Sequence, residues 1–485
     1  MARRLPAALL AVVLAHGAWT FVLHAAGPLR SPWSRDYGEG SVLAMAQLLA
    51  AGRSYFVDLR DYPFLLGNYP PVFIALTALS QRVVGPTLWA PRLLALAATL
   101  GCLVAVFVVV RRLLEDRSAA LAFALLGAMP WFVTTWAALA RVDTLAILLS
   151  LATLAIVARR GTSSAAWPAL PLSWLAFFTK HNALLAPAAV VVDRVAARDA
   201  RLPRLVLAWA LPLALLFGGL VAATRGGAWR HLVTWTALAD YEWGRMAEAY
   251  LQFGVLAAPL LLLVAAAVIA ARPALLEGPG RLVLAYFVLN VAALATIAKA
   301  GAAQNYFIEP WLATLLAAAA ALRALTKRWP GLRAHWPAVL LAAAAVSNYA
   351  YPSLDRMPAA LRRPEGAEEF VALTRLVHEA RGPVLSENMS VLVLDRRPVL
   401  LDPWGMEMLA RKGVFRPERL AADCAAGRFP LVVVEYRMPE IPGMGPCLEH
   451  RYEPVADLGP YHALRPRAAA TLSGMSSEGT LDNSR

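Results

Sequence analysis

The chain contains few charged residues for its length. Only 16% of its 485 residues are Asp, Glu, Lys or Arg, whereas 59% are hydrophobic. Soluble domains carry about 25% charged and about 45–50% apolar residues, so an ordinary soluble protein is excluded. The sequence also lacks a P-loop, a dinucleotide-binding glycine pattern and the Cys/His spacing of a zinc site.

Cysteine is scarce, with three residues in the whole chain. Cys102 lies inside an apolar run, where a thiol usually behaves as a small core side chain. Cys424 and Cys447 lie in the polar C-terminal region. They could form a disulfide if that region is extracytoplasmic, and the sequence leaves this alternative open.

Apolar residues are gathered into repeated runs whose lengths are close to the roughly 20 residues that a helix needs to cross a bilayer. The stretch after Met1 resembles a signal peptide, but it is long, and we interpret it as an uncleaved first span with a cytoplasmic N-terminus. We predict about eleven spans, at 5–27, 89–110, 118–136, 142–158, 165–179, 183–197, 204–224, 250–271, 281–299, 303–325 and 336–350.

The net charge of +14 follows the positive-inside rule and does not indicate a nucleic-acid partner. Arginine clusters fall in alternate connections between the predicted spans, whereas the connections in between carry single cations such as Arg141, Lys180 and Lys299. Counting 70–84 as a span would invert this pattern. We therefore predict that this segment is an interfacial or re-entrant helix, and that the C-terminal region lies outside.

These patterns divide the chain into three parts. We predict a transmembrane domain at 1–350 whose first outer loop spans 28–88, a soluble extracytoplasmic α/β domain at 351–467, and a disordered tail at 468–485. Within the soluble domain, 368–380 is predicted to be an amphipathic helix, and 391–394 and 431–435 to be short buried strands.

The first outer loop carries the most informative motif, Arg-Asp-Tyr-Gly-Glu-Gly at 35–40. Asp36 and Glu39 would occupy the first turn of a helix that runs to about Ala51, with both carboxylates pointing the same way. Acidic residues at this spacing also cap helices, so a purely structural role is a real alternative. Carboxylates at a membrane surface are costly, however, and tend to mark functional sites.

At these residues the chain resembles the GT-C membrane glycosyltransferases, near the family 39 branch of protein O-mannosyltransferases and lipid A aminoarabinose transferases. The resemblance covers roughly residues 1–350. Asp36 takes the place of the first acid of the family's Asp-Glu pair, and Glu39 is the candidate for the second. The other matching features are Gly-Arg-Ser-Tyr at 52–55, Asp58, Asn-Tyr-Pro-Pro at 68–71, Gly85 and Arg92.

The resemblance implies a fold and a reaction. The fold is an all-α polytopic, GT-C-like membrane protein with a small C-terminal α/β domain, placed in a bacterial plasma (inner) membrane. The reaction is an inverting transfer of a sugar from a polyprenyl-phosphate donor to an envelope glycan, lipid or protein acceptor on the outer face. Some GT-C oligosaccharide transferases use a divalent ion, but the single-sugar transferases that this chain resembles generally need none, so we predict neither a metal nor a cofactor.

Site residues follow from this reaction. Asp36, with Glu39, would supply the base that takes the acceptor's proton. The leaving lipid phosphate needs positive charge, for which Arg141, Lys180 and His181 are the candidates. Singly, each of these could equally be an interfacial charge. Further candidates for substrate binding are Asp58, Tyr69, Lys299, Asn305, Tyr306 and Glu309.

Two other functions remain open at this stage. A transporter or flippase of lipid-linked saccharides would also place charges at helix ends, but such proteins often contain internal repeats, and none is evident here. A membrane-anchored binding or assembly protein would use the C-terminal domain alone. Loss of sugar transfer on changing Asp36 would separate the enzyme from both.

Overall fold

The computed structural model describes residues 4–160, 167–349 and 367–467. This part of the chain is mostly helical, as the sequence predicts. The predicted disordered tail at 468–485 lies outside the described residues.

Six helical segments are long and apolar enough to cross a membrane. Each coincides with one of the predicted spans, and the apolar runs alone are sufficient to locate them. The helices in these segments are α1 (Arg4–Arg30), α4 (Trp89–Leu114), α10 (Leu202–Ala223), α12 (Trp243–Ala270), α14 (Pro279–Ala293, continued by the 3-10 turn Leu294–Ala298) and α15 (Ile308–Arg328, preceded by the 3-10 turn Gln304–Phe307).

The other predicted spans contain shorter helices. The span predicted at 118–136 is interrupted before Trp131 because Pro130 has no N–H with which to continue a helix. The total of about eleven spans therefore stays a prediction. The shorter helices are α5 (Arg117–Ala128), α6 (Trp131–Trp136), α7 (Asp143–Arg160), α8 (Leu170–Thr179), α9 (Leu185–Ala196) and α16 (Trp336–Tyr349). Two very short helices, α11 (Gly227–Trp229) and α13 (Arg272–Leu275), lie in connections between spans.

Helix α15 lies at the centre of the helical core. It packs against α4, α12 and α14, and most of its residues are buried. Its run of alanines from Ala317 to Ala321 lets neighbouring backbones approach closely, as small residues do in membrane helix packing. The 3-10 turn at its start therefore holds Asn305 and Tyr306 in a fixed position.

The first outer loop contains two packed helices, α2 (Tyr37–Ala50) and α3 (Pro71–Val84). Helix α2 ends before Gly52, whose φ of +73° suits a residue without a side chain. Both helices lie where the sequence predicts them. The interfacial position of α3 stays a prediction.

The C-terminal residues form a four-stranded sheet with the order β1-β2-β4-β3. Strands β1 and β2 are parallel, and the other two pairs are antiparallel. The strands are β1 (Val384–Ser386), β2 (Leu431–Val434), β3 (Tyr452–Leu458) and β4 (Tyr461–Pro466).

The helices around this sheet correct one prediction. The predicted helix at 368–380 and the predicted strand at 431–435 are confirmed as α17 (Ala367–Glu379) and β2, but 391–394 belongs to a helix. The Asn388 side chain accepts a hydrogen bond from Val391 N and caps that helix, and a short apolar run alone cannot distinguish a buried helix from a buried strand. The remaining helices are α18 (Met389–Leu394), α19 (Pro403–Arg411), α20 (Glu418–Ala425) and α21 (Met444–Arg451).

The sheet region is joined to the first outer loop by backbone hydrogen bonds. Phe64 N donates to Leu400 O, and Asp402 N donates to Phe64 O, each over 2.8 Å. Helix α18 also packs against α2. The two regions therefore share one interface. Within the sheet region, Cys424 and Cys447 form a disulfide between α20 and α21.

Candidate active site

A polar cavity of about 400 Å³ lies between the N-terminus of α2 and the C-terminal sheet region. The first outer loop forms one wall and the C-terminal residues form the opposite one. The cavity is lined by Ser34, Arg35, Asp36, Tyr37, Gly38, Gly40, Ser41, Asn68, Tyr69, Arg141, Gly301, Glu387, Asn388, Met389, Asp402, Trp404, Glu435, Tyr436, Arg437 and Tyr461.

Asp36 has two roles at the edge of this cavity. It is the N-cap of α2, and its Oδ2 accepts a hydrogen bond from Gly38 N over 2.9 Å. The same oxygen accepts from Arg141 Nη1 over 2.8 Å, and the side chain remains 24% exposed. Asp36 therefore does cap α2, but capping leaves its carboxylate accessible from the cavity.

Glu39 occupies a different environment. Both it and its partner Arg92 are fully buried, with two contacts of 2.7 Å between the guanidinium and the carboxylate. The carboxylate also accepts from Ala140 N and Arg35 N. The expectation that Asp36 and Glu39 point the same way is wrong, because the N-cap residue has extended backbone torsions and does not share the helical rotation of Glu39.

Asp143 connects the two predicted phosphate-binding cations. Its carboxylate lies 3.7 Å from Arg141 Nε and 2.7 Å from Lys180 Nζ, and it also accepts from Asn305 Nδ2 over 2.8 Å. Burial by itself would lower the pKa of Arg141, but Tyr69, Asp36 and Asp143 raise it above its ordinary value. Arg141 and Lys180 thus form one charged cluster with Asp36 and Asp143.

Two tyrosines lie against this cluster. The Arg141 guanidinium lies 5.8 Å from the centre of the Tyr69 ring, and Lys180 Nζ lies 4.4 Å from the centre of the Tyr306 ring. Cations over aromatic faces are attracted by the ring quadrupole. Five of the residues singled out from the sequence are therefore brought together, namely Asp36, Tyr69, Arg141, Lys180 and Tyr306, and Asn305 joins them through Asp143.

Other predicted site residues lie apart from the cavity lining. His181 is largely buried beside the cluster, and burial together with Lys180 and Lys299 lowers its pKa to about 4. Glu309 accepts a hydrogen bond from the Tyr286 hydroxyl inside the helical core. Asp58 is on the surface with a side chain that is 60% exposed.

The structure adds residues that the sequence reasoning did not select. Arg35 lines the cavity with part of its surface exposed, and within the described ranges its guanidinium makes no hydrogen bond or ion pair. Its pKa is lowered by burial and by Arg92. Its position next to Asp36 in the motif could have identified Arg35 as a candidate from the sequence.

No sequence motif marked the C-terminal wall of the cavity as part of the site. The wall is held to α2 through Asp402, which accepts a hydrogen bond from the Tyr37 hydroxyl. Trp404 N donates to the same hydroxyl over 3.1 Å. Burial raises the pKa of Asp402, which is consistent with its enclosed position between the two walls. The cavity therefore depends on both parts of the chain.

Comparison with known proteins agrees with this architecture. Residues 68–224 match the family model for dolichyl-phosphate-mannose-protein mannosyltransferase. The structure of ArnT from Cupriavidus metallidurans bound to undecaprenyl phosphate is 15% identical, with a TM-score of 0.59 over 96% of this chain and 99% of that one. The chain has the GT-C fold. The apo form of the same ArnT gives 14% identity and a TM-score of 0.58, over 94% of this chain and 97% of that one.

The predicted resemblance to the GT-C membrane glycosyltransferases of the family 39 type is thus confirmed. The oligosaccharyltransferase of Archaeoglobus fulgidus is also similar, at 14% identity and a TM-score of 0.49, over 92% of this chain and 72% of that one. No curated protein sequence matches the chain. The ArnT-like fold and the six candidate spans support an integral membrane protein.

The matched segment at 68–224 carries part of the site only. It contains Arg141, Asp143 and Lys180 of the charged cluster, together with Tyr69; of these, Tyr69 and Arg141 line the cavity. Asp36 precedes it, and the whole C-terminal wall follows it. The match therefore covers the cationic cluster but neither the candidate base nor the opposite wall.

Proposed function

We propose that this protein is an inverting glycosyltransferase that moves a sugar from a polyprenyl-phosphate donor to an envelope glycan, lipid or protein at the outer face of a bacterial plasma membrane. One observation carries the proposal. An accessible carboxylate, Asp36, lies 2.8 Å from Arg141 in a polar cavity, and Asp143 joins Arg141 to Lys180.

This arrangement suits a displacement at the anomeric carbon. The acceptor hydroxyl attacks that carbon and forms the new C–O bond, while the bond from the carbon to the donor phosphate oxygen breaks. Asp36 takes the hydroxyl proton, and the lipid phosphate leaves as an anion. Negative charge grows on the leaving oxygen, so nearby cations stabilise the transition state more than the ground state.

The cationic cluster supplies this stabilisation in our proposal. Arg141 offers a planar fork and Lys180 a mobile point charge, so the two contribute differently. Arg35 is the cation that the cluster leaves unpaired in the described structure, and it lines the same cavity. We propose that Arg141, Lys180 and Arg35 contact the donor phosphate, with Tyr69, Asn305 and Tyr306 holding the cations in place.

Glu39 has a different part in this proposal. Its two oxygens are saturated by Arg92 and by the backbone N–H groups of Arg35 and Ala140. It therefore acts as a positioning residue that fixes the start of α2, and with it the place of Asp36. The base is supplied by Asp36 alone.

The proposed topology follows the arginine pattern of the sequence. The N-terminus is cytoplasmic, the cavity faces the outer side, and the units at 1–350 and 351–467 meet at the cavity. The polyprenyl chain of the donor then lies in the bilayer beside the helices, and its phosphate reaches the cluster from the membrane side.

The test compares Asp36→Asn with wild type in a strain lacking the gene. Asn keeps the size and the hydrogen bond from Gly38 N but removes the basicity, so transfer should fall by about 10²- to 10⁴-fold. Mass spectrometry should show lost envelope glycan and accumulated lipid-linked sugar. Asp457→Asn, at a carboxylate on β3 whose side chain is 78% exposed, is the matched control and should restore the glycan. Near-normal glycan with Asp36→Asn would reject Asp36 as the base, and near-normal glycan in the strain lacking the gene would reject the enzyme assignment.

A further inference from the structure

The wall of the cavity opposite the cationic cluster has its own chemistry. We call Asn388, Glu435, Tyr436 and Tyr461 the outer wall. Glu435 directly follows β2, and Tyr461 begins β4, which pairs antiparallel with β2 through Val434 and His462. The register therefore brings Glu435 and Tyr461 side by side.

Glu435 is a half-buried carboxylate facing the cavity. Among the described residues it has no hydrogen-bond or ion-pair partner. Burial, and then the neighbouring Glu387, raise its pKa. A partly desolvated acceptor without a partner costs free energy, which a ligand that brings a hydrogen-bond donor would recover.

Tyr461 offers the complementary group. Its hydroxyl oxygen accepts from Asn388 Nδ2 over 3.1 Å, which leaves its own proton free to donate. Burial raises the pKa of Tyr461 to about 12, so the hydroxyl stays protonated at neutral pH. Glu435 and Tyr461 thus present an acceptor beside a donor.

Aromatic rings and an unpaired negative charge also lie at the outer wall. The Tyr436 ring is largely exposed to the cavity, and Trp404 lines it nearby. Arg437, the cation that follows Tyr436 in the chain, is paired with Glu407 over 2.8 Å. The wall therefore combines hydrogen-bonding groups with aromatic faces, and its unpaired charge is negative.

We propose that the outer wall binds the acceptor and that the acceptor is an uncharged saccharide. This rests on the proposed function, in which the cationic side takes the donor phosphate. A sugar ring has hydroxyls for Glu435 and Tyr461 and an apolar face for the aromatic rings. A phosphorylated or carboxylated acceptor would bring like charge against Glu435, which disfavours it.

The first experiment measures binding without any reaction. Full-length protein in nanodiscs is mixed with methyl α-mannopyranoside or with the anionic methyl glucuronide, and saturation-transfer NMR detects the bound sugar. We expect the neutral glycoside to bind at least tenfold more tightly. Tyr461→Phe should weaken it several-fold, and Glu435→Gln should reduce the discrimination against the glucuronide. Glu440→Gln, at an exposed carboxylate in the following turn, should behave as wild type.

A second arm separates an acceptor sugar from the donor's own sugar. Undecaprenyl-phosphoglucose is added until native mass spectrometry shows it bound, and the glycoside signal is measured again. Retention of the signal supports the acceptor assignment. Displacement would overturn it, because the outer wall would then hold the donor sugar.

Several other results would also test whether the outer wall binds an uncharged saccharide acceptor. Absence of saturation transfer from the neutral glycoside, equal binding of the glucuronide, or unaltered binding in both variants would overturn the proposal. Binding needs no catalysis, so glycoside binding should persist in Asp36→Asn. Glycoside binding together with undiminished transfer by Asp36→Asn would refute the proposed base while leaving the outer wall as a sugar site.

Discussion

Replacing Glu39 by Gln tests whether this carboxylate positions the site or takes part in the reaction. The wild-type side chain accepts four hydrogen bonds, two from Arg92 and one each from Ala140 N and Arg35 N. Gln keeps one acceptor oxygen and places an NH₂ group against a donor. The Arg92 guanidinium, which is fully buried, would lose its counter-charge.

The expected cost is large because both groups are inaccessible to water. At the observed 2.7 Å separation and an effective dielectric constant of about 20, the Coulomb attraction is roughly 6 kcal/mol before desolvation is subtracted. Removing one partner of such a pair typically costs about 3–5 kcal/mol. We expect Glu39→Gln to lower the free energy of unfolding by about that amount. Replacing both partners, in Glu39→Leu with Arg92→Met, should cost less than the single change.

The assay is SDS-induced unfolding of the purified protein in mixed micelles, with transfer measured on the fraction that stays folded. Folded Glu39→Gln should keep much of its turnover, whereas Asp36→Asn should keep its stability and lose turnover. If Glu39→Gln has wild-type stability and no turnover, Glu39 belongs to the catalytic machinery and the positioning role is refuted.

Four further predictions concern the donor site, the pH dependence of stability and the topology. Lys180→Gln and Arg141→Gln should each weaken the binding of undecaprenyl phosphate in titrations. The double variant should lose less binding free energy than the sum of the two single losses, because both cations contact Asp143. Unchanged affinity in both single variants would make the two residues ordinary interfacial charges. His181 has its pKa lowered to about 4, so it is neutral near pH 7, and His181→Gln should leave the affinity for undecaprenyl phosphate unchanged between about pH 6 and 8. Because an unfolded His binds a proton below about pH 6.5, the wild-type protein should lose stability as the pH falls from about 6.5 to 4. An equal loss of stability in His181→Gln would contradict the lowered pKa of His181. An alkaline phosphatase reporter fused after residue 360 should be active outside the cytoplasm, and an active cytoplasmic reporter at that point would reject the topology.

The sequence by itself was sufficient for features set by neighbouring residues. Apolar runs locate the six candidate spans because crossing a bilayer demands a minimum length of apolar helix. The start of α2 at Asp36 and its end before Gly52 are equally local, since caps and turns depend on residues a few positions apart. The sequence also singled out Arg141 and Lys180, as single cations in the connections between predicted spans.

Only the tertiary structure decided which of these residues meet. Local spacing suggested that Glu39 shares the site of Asp36, but Arg92, 53 positions away, draws it into the buried core. Asp143, two residues after Arg141, joins it to Lys180, which lies 37 positions away just after another helix. The outer wall is more distant still, and the bond from Tyr37 to Asp402 spans 365 positions. Periodicity and capping act over a few residues, whereas a cavity forms where packing brings remote segments together, so its far wall has no signature in the sequence near Asp36.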